Sequence, residues 1–379
     1  MKSTYLFPFY FAHFSLVRVQ YLKDEKCFYW STIETLRNEI IQQWSFDLVG
    51  RNFSIRLPND AKSSDFTDIS QVTQETVLNI KLIQKGFSEF KESEAIKMAK
   101  LEVTAIADIK RMKLPEFVVL FDSTEKLQSE ETSIVCKELQ RRMEYFNLVK
   151  SSEYTMREFI TPILLGALEL YGKFNKLDNT DLQLVCEKRV TGLVGNGPVD
   201  YIVTYKTMNI ILTEAKKEKL DSGVLQNICQ QVASVQEIAR LLTLTTSKKR
   251  KYEEILADVE MMPSYGIVST GEDWIFMRYC AGAENGSPRL LISERIQYCL
   301  QNVQIEKNLE ETCRLIRIIA GIVKVQVDNM NDWEPKFKKI REENSSSNPE
   351  TKSSPYLQVM DHVHDQGELQ ENSRGSQAE

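Results

Sequence analysis

Residues 195–218 read GNGPVDYIVTYKTMNIILTEAKKE, and this stretch constrains the fold more than any other. Two strand-forming runs, VDYIVTY and NIILTEA, flank the short polar break KTM, the pattern of two strands joined by a tight turn, and Gly195 and Gly197 read as a turn just before Asp200. In a hairpin centred on Thr207, residues equidistant from the turn face one another, so Asp200 lies opposite Glu214 on one face of the sheet. Lys216, two residues further on, shares that face because strand side chains alternate with a period of two. Two carboxylates and one amine therefore meet at the edge of a sheet.

The flanking sequence gives this hairpin its surroundings. Upstream, SIVCKELQRRMEYF and TMREFITPILLGALELYG read as helices, the second with Phe159, Ile163, Gly166, Ala167 and Leu170 at helical spacing, and LQLVCEKRV reads as a strand. Downstream come the helix GVLQNICQQVASVQEIARLLTL, the strand pair SYGIVST and WIFMRY, and a terminal helix around LEETCRLIRIIAGIV. The order αβββαβ with flanking helices describes a mixed sheet sandwiched by helices over residues 131–330. A separate unit precedes it. SLVRVQY and CFYW read as strands about the turn KDEK, and Ser31 with Glu34 forms a capping box before a helix carrying Ile33, Leu36, Ile40, Ile41 and Trp44. NFSIRLPN and ETVLNIKLIQ add two strands, so residues 14–84 follow the order ββαββ, that of a ubiquitin-like β-grasp unit. Residues 86–130 are expected to form a helical connector with Pro115 and a short FVVLF strand. Residues 341–379, rich in Ser, Glu, Asn and Gln, are expected to be disordered. A length of 379 residues agrees with a two-domain chain of the α+β and α/β classes.

Composition removes several kinds of chemistry. The 48 Lys and Arg against 54 Asp and Glu leave a formal charge of -6, so any nucleic-acid site must be local. No apolar run approaches the ~18 residues of a membrane-spanning helix, and no membrane partner is expected. Seven cysteines, scattered and without a CxxC pair, indicate neither a zinc knuckle nor a disulfide framework. Three histidines lie in the aromatic leader (His13) and the polar tail (His362, His364), which excludes Ser-His-Asp and Cys-His catalysis and histidine-bound zinc from the folded body. Neither GxxxxGK(S/T) nor GxGxxG occurs. Carboxylates, lysines and amides remain, which suits hard cations such as Mg²⁺.

Paired carboxylates a strand spacing apart repel as bare anions, and a divalent cation satisfies both. Asp200 and Glu214 are the expected ligands, with Glu158, in the first turns of the helix TMREFITPILL, or Glu187 completing the shell. Glu187 sits beside Lys188 and Arg189 and also reads as a salt-bridge partner. Lys216 can orient or deprotonate the attacking water and offset charge on a pentavalent phosphate. Gln226 and Gln230, one helical turn apart, offer an amide to hold that water or a phosphate oxygen, Gln230 being the stronger candidate. Lys217 and Lys219 are candidate phosphate contacts.

Pro198-Val199-Asp200, then Glu214-Ala215-Lys216 and a glutamine-bearing helix, resembles the pattern of the PD-(D/E)xK nuclease superfamily. The segments REF, EKRVTG, GPVDY, LTEAKKE and YGIVSTGEDWIF are similar to the nuclease-like C-terminal regions of Crinkler-type effector proteins of fungi and oomycetes, over roughly residues 130–330. The N-terminal unit resembles that family's header by topology alone. The resemblance implies a restriction-endonuclease-like fold in the second unit and Mg²⁺-dependent (or Mn²⁺-dependent) hydrolysis of nucleic acid, DNA ahead of RNA. It also implies secretion into a host cell and host protein partners. The LFLAK header motif is missing, IRLPN standing near its place, and no phosphate-loop segment precedes the nuclease-like region. Two other readings stay open: an inactive nuclease scaffold that binds host or self partners, and a ubiquitin-pathway adaptor. Lys248, Lys249, Arg250 and Lys251 match a short nuclear-localisation pattern, which points to the nucleus; without it the expectation is the cytoplasm. The opening MKSTYLFPFYFAHFSLV reads as a weak secretory leader, interrupted by Pro8 and His13.

Overall fold

The computed structural model describes residues 15–21, 24–30, 33–44, 53–56, 77–82, 84–114, 118–146, 152–177, 181–193, 195–206, 208–245, 252–282, 289–298 and 305–345. Among these the chain is mixed α/β, with seven α-helices and two sheets. The basic block 248–251, the leader and residues 346–379 lie outside the described residues.

The first sheet is built from β1 (Ser15–Tyr21), β2 (Asp24–Trp30), β3 (Phe53–Arg56) and β4 (Val77–Leu82), with α1 (Ile33–Gln43) between the second and third. Its order is β2-β1-β4-β3. β1 pairs antiparallel with β2, Ser15 opposite Trp30, and parallel with β4, Val19 opposite Leu78. Leu36 and Ile40, one turn apart on α1, are fully buried, as are Val19, Ile55 and Leu78 on the strands.

The second sheet has nine strands. In chain order its unit comprises β5 (Lys85–Gly86), α2 (Glu92–Met98), β6 (Arg111–Met112), α3 (Glu125–Tyr145), α4 (Glu153–Asn175), β7 (Leu182–Thr191), β8 (Gly195–Tyr205) and β9 (Met208–Ala215). It continues with α5 (Leu220–Thr245), α6 (Tyr252–Glu260), β10 (Ser264–Ser269), β11 (Asp273–Cys280), β12 (Arg289–Ser293), β13 (Ile296–Gln297) and α7 (Ile305–Ser345). The main path is β5-β8-β9-β10-β11-β12-β6, with β7 on β8 and β13 on β11. β9 and β10 are parallel and joined through α5 and α6, whereas β7-β8-β9 and β10-β11-β12 are antiparallel runs.

Alternation along the central strands decides where the helices go. Ile267, Trp274 and Phe276 join Phe159 and Ile163 of α4, Leu139 of α3 and Ile319 of α7 in one core. Their neighbours Val268, Ile275 and Met277 join Val224, Ile228 and Val232 of α5 in another. The sheet is therefore covered on both faces, α5 on one and α3, α4 and α7 on the other.

Four local expectations differ from the structure. Among the described residues of 86–130 the α-helical part is short, α2 and the first residues of α3 from Glu125, and β5 and β6 at Lys85–Gly86 and Arg111–Met112 join the nine-stranded sheet. α2 stops early because Lys100, just after its end, takes the left-handed conformation at φ 53°. Of FVVLF, residues 118–121 pair with no strand: the segment docks on α7, where Phe121 N–H donates to the Arg317 carbonyl at 3.0 Å and Arg317 Nε donates back at 2.9 Å. Gly195 and Gly197 lie within β8 rather than in a turn, and a Cβ on either would come within 3.0–3.2 Å of the Phe87 or Phe90 ring. Residues 341–345 belong to α7. No helix among the described residues is long and apolar enough to cross a membrane.

Candidate active site

The pairing of β8 with β9 is set by a bulge. Tyr205 pairs with Met208 and Thr204 with Asn209, a count that carried onward would bring Asp200 opposite Thr213. The register shifts at the next rung, where Val203 pairs with Ile211, and Tyr201 then pairs with Thr213. One rung further, Asp200 stands opposite Glu214. A single-residue slip turns a side chain to the other face, so the extra residue at Ile210 is what brings the two carboxylates together.

Both carboxyl groups are buried, Asp200 at 8% exposure and Glu214 at 2%. Asp200 Oδ2 accepts the Ala215 N–H at 2.7 Å, and Oδ1 accepts from Arg157 Nη2 in a very close ion pair. Glu214 Oε1 lies 2.6 Å from Lys216 Nζ, and Oε2 accepts from Gln230 Nε2, also at 2.6 Å. Burial, reinforced by the charge of Asp200, pushes the Glu214 carboxyl up to about 7 against the pull of Lys216 and Gln230. Burial raises Asp200 as well, opposed by the Ala215 amide and Arg157.

Gln230 is held by its neighbours on α5. Asn227, Gln230 and Gln231 are fully buried. Asn227 Nδ2 donates to the Leu212 carbonyl at 3.0 Å and to Gln230 Oε1 at 3.3 Å, which leaves the Gln230 Nε2 pointing at Glu214. Gln231 Nε2 in turn donates to Asn227 Oδ1 at 2.9 Å. This cluster of amides sits where β10 has Gly266, whose missing side chain makes the room: a Cβ there would fall 1.8 Å from Asn227 Oδ1.

The first turns of α4 contribute differently from the expectation. Glu158 points to Arg142 of α3, at 3.6 Å from its Nε, and makes no contact with the pair. The carboxylate that reaches the site is Glu153, 3.7 Å from Lys216 Nζ and close enough to act on Asp200. Glu187, opposite Asp200 on β7, accepts from Arg157 Nη1 at 2.7 Å and is a salt-bridge partner here. Arg157, Glu153, Asn227 and Gln231 were not singled out from sequence. Glu153 follows Ser152, which caps α4 through the Thr155 N–H, and that serine was the available signal for an earlier helix start.

A cavity of about 460 Å³ adjoins the site, lined among others by Glu153, Lys216, Lys217, Lys219, Ser222 and Gln226. A second, of about 570 Å³, shares Lys219 and Ser222 with it and adds Arg111 and Arg295. Glu153 and Glu214 pair with Lys216, Asp200 lies near enough to feel its charge, and carboxylate oxygens are the donors that suit Mg²⁺ or Mn²⁺. Their oxygens are turned to Arg157 and Lys216, and among the described residues no three His, Cys, Asp or Glu side chains converge as a ready cation cage. A cation would therefore take the place of the arginine and lysine. No family model matches the chain, and no curated protein matches it.

Proposed function

We propose that the second unit is a cation-dependent phosphodiesterase acting on nucleic acid, DNA ahead of RNA, with a restriction-endonuclease-like fold of the PD-(D/E)xK type. The observation that carries this reading is the pairing of buried Asp200 and Glu214 across β8 and β9, with Lys216 and Gln230 on the two oxygens of Glu214. The order α4-β7-β8-β9-α5-α6-β10, αβββαβ with one short added helix before the last strand, also supports it. The strand order β2-β1-β4-β3, with first and last strands parallel, supports a ubiquitin-like β-grasp header.

In this reading Asp200, Glu214 and Glu153 hold Mg²⁺ or Mn²⁺, which when bound supplies positive charge at the scissile phosphate and its attacking water. Lys216, released from Glu214, orients that water and offsets charge on the phosphate in the transition state. Gln230 keeps Glu214 in place through its Nε2–H, its own oxygen being engaged by Asn227. Lys217 and Lys219, which line the cavity beside Lys216, offer contacts for flanking phosphates, whereas Arg295 is held by Asp273. Titration of plasmid DNA and RNA cleavage with Mg²⁺ and Mn²⁺ tests the proposal. Cation-dependent cleavage abolished by chelation is the expected result, and no cleavage with either cation rejects it.

The occupation of all four carboxylate oxygens of Asp200 and Glu214 by the chain's own donors favours one second reading, an inactive nuclease-fold scaffold that binds host or self proteins. Under either reading the cluster Lys248 to Lys251 is proposed to direct nuclear import, and secretion into a host cell rests on the family resemblance alone. Replacing the four basic residues with Ala in a fluorescent fusion should move the signal to the cytoplasm; an unchanged nuclear signal removes that role.

A further inference from the structure

Arg157 is the one cation that touches both Asp200 and a second carboxylate among the described residues of this cluster, and the arrangement of its two partners is unequal. Asp200 is buried at 8% exposure, while the Glu187 side chain is 66% exposed. Arg157 Nη2 is on Asp200 and Nη1 on Glu187, and its buried Nε has no partner. Glu187 stands opposite Asp200 between the rungs Cys186–Tyr201 and Lys188–Val199, in the left-handed conformation at φ 53°. A glutamate rarely adopts that backbone, and it persists only where the surroundings hold it.

We propose that Arg157 is the resident counter-ion of the cation site, and that a divalent cation enters by displacing its guanidinium from Asp200 onto Glu187. The inference rests on the cation-site reading given above. A buried carboxylate left without a partner is strongly disfavoured, so the empty site needs a positive group on Asp200 Oδ1. A guanidinium stays protonated at any working pH, so it cannot yield its place by losing a proton and must move. Glu187 already holds the other half of the fork, which gives the displaced arginine an anionic anchor on the solvent side without leaving the cluster. Arg157 is on this account a positioning residue: it acts through Asp200, and it sets the affinity at which the site fills.

The test is a double-mutant cycle on the full chain, stripped of metal with a chelator, with Mn²⁺ as the probe read by calorimetry and by the paramagnetic signal of free Mn²⁺. Arg157→Gln removes the competitor and should tighten Mn²⁺ binding roughly tenfold, the scale of one charge-assisted hydrogen bond. Glu187→Gln removes the anchor and should weaken binding several-fold in the native background, yet change nothing once Arg157 is Gln. If Arg157→Gln binds Mn²⁺ no more tightly than the native chain, the proposal is overturned. It is also overturned if Glu187→Gln weakens binding equally in both backgrounds, since Glu187 then acts through its charge alone. Should Arg157→Gln fail to fold, Arg157→Lys carries the test: lysine lacks the planar fork that sets one nitrogen on each carboxylate, so its hold on Asp200 is weaker, affinity should still rise, and no rise overturns the proposal. A native chain that binds no Mn²⁺ at all rejects the cation site itself, a result distinct from a site that binds but does not respond to Arg157.

Discussion

Gly266→Ala is the sharpest probe of how the site is held. A Cβ at Gly266 would lie 1.8 Å from Asn227 Oδ1, 2.6 Å from Gln231 Nε2 and 2.8 Å from Asn227 Cγ, all on buried side chains. Overpacking a filled interior costs about 1–3 kcal/mol. If Asn227 withdraws to avoid the clash, the Leu212 carbonyl and Gln230 Oε1 lose a buried donor, which adds about 1–3 kcal/mol. The smaller conformational freedom of alanine in the unfolded chain offsets at most ~1 kcal/mol. The variant should therefore be less stable by about 1–6 kcal/mol, measured by urea unfolding followed through tryptophan fluorescence. Asn227→Ala in the same chain removes the closest contact, so the double variant should lose clearly less than the sum of the two single losses. A single-variant loss under ~0.5 kcal/mol, or strict additivity, would refute the reasoning.

Titration gives a second check. Because burial raises Glu214 from 4.5 to about 7, the cation-free folded chain holds a proton there that the unfolded chain releases. The stability this group contributes is complete below about 4.5 and is lost as pH rises through 7. The Tm of the native chain minus that of Glu214→Gln should thus fall across that window, while Mn²⁺ affinity climbs as the competing proton leaves; a difference that grows with pH contradicts the assignment. Glu153→Gln should weaken Mn²⁺ binding and Glu158→Gln should leave it unchanged, and calorimetry showing the reverse would restore Glu158 to the site. Lys216→Ala frees Glu214 Oε1, so it should bind the cation at least as tightly as the native chain and yet lose cleavage by orders of magnitude, since the lysine charge acts on the transition state; undiminished cleavage would remove Lys216 from the chemistry.

The hairpin was legible because strand alternation and a short turn are local properties, and the facing of Asp200 and Glu214 followed from counting outward from the turn. The same facing arises by a different route, through Tyr205–Met208 pairing and a compensating bulge, which no periodicity in NIILTEA announces. Gln230 was legible as one polar face of a helix, but not its burial or its hold by Asn227, whose side chain has room only because β10 carries Gly266. Glu153 and Arg157 depend on where α4 begins and how its first turns lie against β7 and β8. That is tertiary information, and the spacing of apolar residues from Phe159 onward does not contain it. The short strands β5 and β6 escaped notice for a related reason: two-residue edge pairings carry too little pattern to read.

The central claim is that Asp200 and Glu214 bind a divalent cation which nucleic-acid cleavage requires. Paired Mn²⁺ calorimetry and cleavage of plasmid and RNA by the native chain and by Glu214→Gln test it most directly. The native chain is expected to bind Mn²⁺ and to cleave, and Glu214→Gln to lose both together, because one anionic ligand is removed with little change in size. Cleavage that survives in Glu214→Gln would place the active site elsewhere, and a native chain that neither binds Mn²⁺ nor cleaves would contradict the enzyme reading.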